Sequence, residues 1–548
     1  MRRPVLAALP LTVFLLTTTN RPARADGVYG EPAPSSSTPD TSEPGPSPTD
    51  SSPLAKDGHP LAGWHNGLFY LRDYNDNYVL YPQGRAQIDT YAYAGPGIPE
   101  TTLKPTMFLR RVRPEVTGEF FHRWWFMIAG DFGVTSLDNN LKENGGPGTE
   151  TLVAPPGTSA GTATTAQARY ASPQTASIKA APTDVYINYK VAEIFNIQAG
   201  QYDLPFTMEN RTSDKYFEFI ERPLAVRAIG VPENKDIGAM AWGWTGSHTF
   251  FYSAGVYNGA GQNRLNTDGR PEGAGRVFVR PLAASARPPL KDLQIGASIK
   301  LGSHDNHFTD YDYPSMSTQT GFSFWSPTYS GANGFTHVIP SGTQLATAGE
   351  LRIPFGLLDL QGEFVYIDNQ TREALDGYQA TNSERFGEIK GYSYYAQVGF
   401  WPFGNRDING LPGDEGMQHL NWNRPDPVKP GQALQLLLKW EQVALTYNSA
   451  SRSGAPDPKN EDGNIDVNAF SIGANYWASK HIRVSANYIY DMFPNSEPTS
   501  ATEKGGPTWS ATNRAQAPGN TLGVGLDNSA RDTAHSMHEF VMRFAIAL

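Results

Sequence analysis

The feature that most constrains this chain is an alternation of period two, renewed segment after segment from about residue 64 to the C-terminus. At the end of the chain His538, Phe540, Met542, Phe544, Ile546 and Leu548 fall on one side of an extended strand. Glu539, Val541, Arg543, Ala545 and Ala547 fall on the other. Residues 481–490 set Ile482, Val484, Ala486, Tyr488 and Tyr490 against His481, Arg483, Ser485, Asn487 and Ile489. Residues 78–92 set Leu80, Ala86, Ile88 and Ala92 against Gln83, Arg85, Gln87, Asp89 and Tyr91. Segments of about ten such residues, separated by turn chemistry, are what a transmembrane β-barrel requires. Aromatic residues near segment ends (Tyr91 and Tyr93, Trp124 and Phe126, Trp401 and Phe403, Trp477) suit interfacial girdles. A soluble secreted β-sandwich or β-helix also alternates, so the pattern alone leaves both open.

Composition bears on that choice. The chain has 548 residues, of which only 39% are hydrophobic, and no stretch reaches the roughly 18–20 apolar residues of a membrane helix. A barrel needs one apolar face only, and closure pairs its backbone groups without water. The absence of cysteine excludes disulfide scaffolds, thiolate metal sites, a cysteine nucleophile and a lipidated N-terminal cysteine.

The N-terminus reads as a secretory leader. Arg2 and Arg3 precede the apolar run Val5 to Leu16, and Ala23-Arg24-Ala25 supplies a small-x-small cleavage pattern, so residues 1–25 form a signal peptide cleaved after Ala25. Loss of Arg2, Arg3, Arg21 and Arg24 takes the formal charge from −10 to −14. No basic surface for nucleic acid stands out. Residues 26–60, dominated by Pro, Ser, Thr, Asp and Glu, read as a disordered periplasmic segment. Residues 61–548 remain for a single barrel domain.

About sixteen strands are expected. The first nine lie near 77–93, 106–120, 123–133, 183–191, 194–202, 236–245, 248–258, 274–281 and 291–301. The other seven lie near 345–355, 357–367, 391–402, 431–447, 466–477, 481–491 and 537–548. The phase of 431–447 changes near Glu441, which predicts a bulge there. Short turns at 121–123, 192–193 and 478–480 alternate with long polar stretches at 134–182, 203–235, 302–344, 368–390, 403–430 and 492–536. These predict periplasmic and extracellular ends respectively. Sixteen strands leave an aqueous channel.

Several runs carry a specific resemblance. FLRRVRPEVTGEFFHRWWFMIAGDFG (108–133) and TDVYINYKVAEIFNIQAGQYDLPFTMENRTSDKYFEFIERPL (183–224) resemble the phosphate-selective porin O and P family. So do DIGAMAWG (236–243), YSAGVYNGAGQNR (252–264), YYAQVGFWPFGNR (394–406) and FSIGANYWASKHIRVSANYIY (470–490). The order matches from about residue 65 to 548. The resemblance implies a sixteen-stranded outer-membrane porin, a homotrimer, with the third long loop, 203–235, folded into the channel as a constriction.

A pore selects anions with Arg and Lys at the constriction and cations with carboxylates. The alternation turns Arg85, Arg111 and Arg113 to the lumen beside Asp89, Glu115 and Glu119, and Asp184 and Lys190 on their strand. The constriction loop adds Glu209, Arg211, Asp214, Lys215, Glu218, Glu221, Arg222 and Arg227. The resemblance places Arg85, Arg110, Arg111, Asp184 and Arg222 on or near an anion path. For each of these residues the alternative is an ordinary lumen charge paired across the barrel. Two departures from the family pattern count against phosphate. Asn210, not lysine, follows Glu209, with Arg211 one place later. The stretch 302–344, where phosphate-selective members carry an arginine ladder, has no Lys or Arg.

No G-x-S-x-G or P-loop motif occurs. The acidic run 457–466 lacks calcium-loop spacing, and His304 and His307 lack a compact third ligand, so no metal, cofactor or catalytic site is expected. The expected function is passive diffusion of small ions and solutes, phosphate or other anions among them, through an outer membrane of lipid and lipopolysaccharide. The other reading that stays open is a secreted β-rich protein that binds or hydrolyses glycans.

Overall fold

In the computed structural model, residues 53–65, 68–95, 105–133, 180–230, 235–266, 268–284, 290–304, 313–325, 328–331, 334–375, 385–409, 415–417, 419–420, 422, 431–450, 463–494 and 535–548 are described. All belong to one compact unit, Ser52–Leu548. The leader and most of the Pro/Ser-rich segment lie outside them.

Among the described residues twenty-one strands follow one another. A hairpin, β1 (Ala62–His65) and β2 (Leu68–Arg72), precedes β3 (Tyr78–Ala94), β4 (Thr106–Phe120), β5 (Trp124–Asp131), β6 (Ala181–Ala192) and β7 (Phe195–Asp203). After an inward segment come β8 (Lys235–Trp244), β9 (Phe250–Tyr257), β10 (Glu272–Val279) and β11 (Gln294–His304). Three short strands, β12 (Met316–Ser317), β13 (Ser323–Trp325) and β14 (Thr328–Gly331), lie in the next connection. The chain then completes the wall with β15 (Gly334–Phe355), β16 (Leu358–Leu375), β17 (Arg385–Phe403), β18 (Ala433–Ala450), β19 (Gly463–Ser479), β20 (Ile482–Met492) and β21 (Ser536–Ala547).

Strands β3 to β11 and β15 to β21 pair antiparallel with their neighbours, and β21 returns to β3 with Phe540 opposite Ala92 and Arg543 opposite Asp89. Sixteen strands therefore close into a barrel without a free edge. The lipid-facing row is the predicted one. Phe540, Met542, Phe544 and Ile546 are exposed on β21, while Glu539, Val541, Arg543 and Ala545 are buried inward. The turn between β4 and β5 sets Phe121 at φ 53° and His122 at φ 57°, the two left-handed positions of a tight hairpin.

Several expectations need correction. No bulge occurs at Glu441: Lys439, Glu441, Val443, Leu445 and Tyr447 all face inward in unbroken register with β19. What changes there is polarity, because the inward row turns from polar to apolar. It packs against two segments that fill the lumen, residues 204–230 and 313–325, which bring Phe206, Ile220, Leu224, Ile229, Phe324 and Trp325 into one core with Val365, Val443 and Leu445. Burying each large apolar side chain of this kind stabilises the packing by about 1.5–3 kcal/mol. Tyr91, Trp401 and Trp477 are buried, not in the girdle: Tyr91 joins this core, and the two tryptophans pack with Ile408 and Ala433 in a separate cluster, stacked on each other at 5.3 Å. Trp124 and Phe403 are exposed.

The long connections also differ. Much of 302–344 and 368–390 is strand, in β15, β16 and β17, and Gly463 to Asp466 of the acidic run begin β19. The connection between β17 and β18, expected at the extracellular end, lies by strand order at the end that carries the short turns 121–123, 193–194, 356–357 and 480–481. Residues 53–60, assigned by composition to the Pro/Ser-rich segment, curl against the β1–β2 hairpin. There Arg72 holds Asp57 at 2.7 Å and Asp76 at 3.2 Å.

Candidate functional site in the barrel lumen

Neighbouring residues of a strand point to opposite faces, so Arg110 and Arg111 should not both reach the lumen. A bulge allows it. The register passes from Gln87 opposite Arg111 to Ile88 opposite Leu109, and Arg110 is the extra residue. Both arginines then meet Glu221 of the inward segment, Arg110 Nε at 2.9 Å and Arg111 Nη2 at 3.3 Å. Arg543 of β21 adds a third contact at 2.9 Å.

Asp214 repeats the arrangement along the same wall. Arg85, Arg111 and Arg113 lie 2.6, 2.9 and 3.1 Å from its carboxylate. Arg113 also holds Asp131 at 2.7 Å, and Lys215 bridges to Glu115 at 2.7 Å. Burial by itself would raise the pKa of both loop carboxyls. The guanidinium groups around Asp214 (Arg85, Arg113, Arg111) and around Glu221 (Arg110, Arg111, Arg543) outweigh it and hold both far below the ordinary carboxylate range.

The opposite face of the inward segment meets a different wall. Glu218 accepts hydrogen bonds from the amides of Gln397 and Gln435, the latter at 3.0 Å. Burial, reinforced by the charge of Asp359, pushes the Glu218 carboxyl up to about 7. Glu209 is likewise raised by burial, against the pull of Arg222 and Lys439, and accepts from Gln361 at 3.2 Å. Glu363 of β16 accepts the backbone N–H of Met208 and of Glu209, the second at 3.2 Å, which fastens the short helix Met208–Arg211 to the wall.

Between the inward segment and strands β3 to β8 lies a cavity of about 370 Å³. Of the residues expected at the channel, Arg85, Arg110, Arg111, Arg113, Asp184, Arg211, Lys215 and Arg222 line it. Glu209 and Arg227 lie elsewhere. Glu209 faces the carboxylate wall, and Arg227 donates to the carbonyl of Gln319 in the second inward segment. The lining contains eight cationic and six carboxylate side chains, so the cavity is net positive inside a negatively charged chain.

The family model for phosphate-selective porin O and P matches residues 84–517. The chain belongs to this porin family. With its closed sixteen-strand barrel it is an outer-membrane porin, and the soluble glycan-acting reading is not supported. Among solved structures it is similar to the outer membrane channel DcaP of Acinetobacter baumannii, at 9% identity and a TM-score of 0.44, over 87% of this chain and 99% of that one. It is also similar to the trimer form of OmpT of Vibrio cholerae, at 10% identity and a TM-score of 0.42, over 86% of this chain and 100% of that one. No curated protein matches it.

Three contributors to the porin lumen were not singled out from sequence. Lys235 reaches Asp184 and Asp203 at 2.7 and 2.8 Å, and it could have been found as the polar start of β8. Arg543 sits on the polar face of the C-terminal alternation, where its sign was visible but its partner was not. Glu415 had no signal at all, because it comes from a connection that alternation cannot place.

Proposed function

We propose that this porin is a weakly anion-leaning diffusion channel without a high-affinity phosphate site. The observation that carries this reading is the cavity at the inward segment. It has a cationic excess, yet Arg85, Arg110, Arg111, Arg113 and Arg211 are engaged by Asp214, Glu221, Asp131 and Glu415, and Arg222 donates to the carbonyls of Glu209, Asn210 and Thr212. A passing anion therefore meets guanidinium groups that already have carboxylate or carbonyl partners, which favours transit over capture. The residues 313–325 that also fill the lumen carry no charge, so they add no anion ladder. Among the expected residues, Arg85, Arg110, Arg111, Arg113, Arg211, Lys215 and Arg222 set the positive side of the field, and Asp184 tempers it.

The chain is exported by a leader cleaved after Ala25, as the Ala23-Arg24-Ala25 pattern indicates, and acts in the outer membrane as a homotrimer, as the family resemblance implies. Lipid meets its outward apolar rows, lipopolysaccharide meets the outer rim, and no chemical step is catalysed. Single channels in a KCl gradient test the reading. The expected reversal potential shows modest anion preference, with phosphate blocking only weakly. A channel blocked by micromolar phosphate, or one that prefers potassium, would overturn it.

A further inference from the structure

The connection between β17 and β18 leaves the barrel at the end of the short turns, and its described residues run back into the lumen. Trp244 Nε1 donates to the carbonyl of Glu415 at 2.9 Å, and Leu420 N donates to the Tyr81 hydroxyl at 3.0 Å. His419 contacts Glu119 at 2.7 Å. Beyond it Trp422 is held by the N-terminal hairpin region: His59 and His65 stack on its ring at 4.1 and 4.7 Å, Tyr70 meets it edge-on at 5.5 Å, and the Arg72 guanidinium lies 4.7 Å from the ring centre.

This anchoring delivers one carboxylate to the cavity. Glu415 takes Arg211 of the inward segment in a two-pronged pair, at 2.7 and 2.5 Å, and Arg276 of β10 at 2.9 Å. Arg276 has a second carboxylate, Glu350, which it grips at 2.9 and 2.8 Å. Arg211 has no other carboxylate in its ion pairs among the described residues. Both Glu415 and Arg211 line the cavity. We infer that Glu415 is a selectivity-determining residue: it cancels the charge of Arg211 at the ion path, and the aromatic clamp on Trp422 is the positioning device that keeps it there. The inference rests on the porin reading above, and it gives the selectivity a source outside the inward segment.

The test is the reversal potential of the full-length channel in a KCl gradient. Glu415→Gln keeps the shape and removes the charge. Its chloride-to-potassium permeability ratio should rise about three- to tenfold, the effect of one uncompensated charge a few ångströms from the path. Arg211→Gln in the same chain should return the ratio towards the parent value. Trp422→Ala should move it in the same direction as Glu415→Gln but less far. A conducting Glu415→Gln channel with the parent ratio would overturn the inference, as would a double variant as anion-selective as the single one. If Glu415→Gln does not assemble, an unchanged ratio in Trp422→Ala channels overturns it. A parent protein that forms no channel would sink the porin reading instead.

Discussion

Two walls face each other across this lumen, and they solve the problem of buried charge differently. On β3, β4 and β21 the arginines are answered by full counter-charges, Asp214 and Glu221, brought in by the inward segment. On the side that meets β16 to β18 the carboxylates of the helix anchor and the loop are answered by dipoles: backbone N–H groups for Glu363 and glutamine amides for the loop residue Glu218, while Glu441 keeps a full counter-charge in Lys439 at 3.0 Å. Charge answered by charge stays ionised over a wide pH range, whereas a buried carboxylate answered by dipoles is easier to protonate. One loop therefore has a fixed side and a titratable side.

The largest effect should come from breaking the charged side. Arg543→Gln leaves Asp89 and Glu221 facing each other without the cation between them, and loss of one partner from such a buried network costs about 3–5 kcal/mol. Heat-modifiability on gels and the denaturant midpoint should both fall. Next, Asp214→Asn removes the carboxylate that Arg85, Arg111 and Arg113 share and leaves each with one other (Glu115, Glu221 and Asp131), so phosphate block should strengthen by about tenfold, measured as the half-blocking concentration in single channels.

A smaller effect probes the titratable side. Glu218 is protonated below a pH of about 7, so anion preference should rise as pH falls from 8 to 6, and rise less in Glu218→Gln. The sign for stability follows from the same shift. The folded state holds a proton that the unfolded chain releases near the ordinary glutamate value. The stabilisation is therefore complete at acid pH and is lost as pH rises through about 7. Smallest of all, Thr318→Val removes a hydroxyl that donates to Glu539 at 2.6 Å. It should cost about 1–3 kcal/mol in the midpoint and leave the reversal potential unmoved.

The wall of this barrel was legible because lipid enforces a simple rule on one face. Ile88, Val484 and Phe540 had to alternate with neighbours that turn inward, and they do. The lumen obeys no such rule. Val443, Leu445 and Tyr447 point inward because two segments from elsewhere in the chain meet them, and nothing near residue 443 announces those segments. Arg110 faces the lumen through a one-residue bulge that a strict count of two cannot see. The carboxylates Asp214 and Glu221 were visible as residues, but their arrangement against the arginine wall is a property of the docked loop.

Arg543 lies on the last strand and Asp89 on the first strand of the barrel wall, directly opposite each other where the barrel closes. One guanidinium grips Asp89 with two 2.7 Å contacts, reaches Glu221, and donates to the carbonyl of Ile220 at 2.6 Å. The residues it joins are separated by most of the chain, so the contact cannot form until the C-terminal strand has arrived. Closure of the cylinder and seating of the constriction loop thus share a single side chain. During assembly, this arginine makes the finished seam and the filled pore the same event.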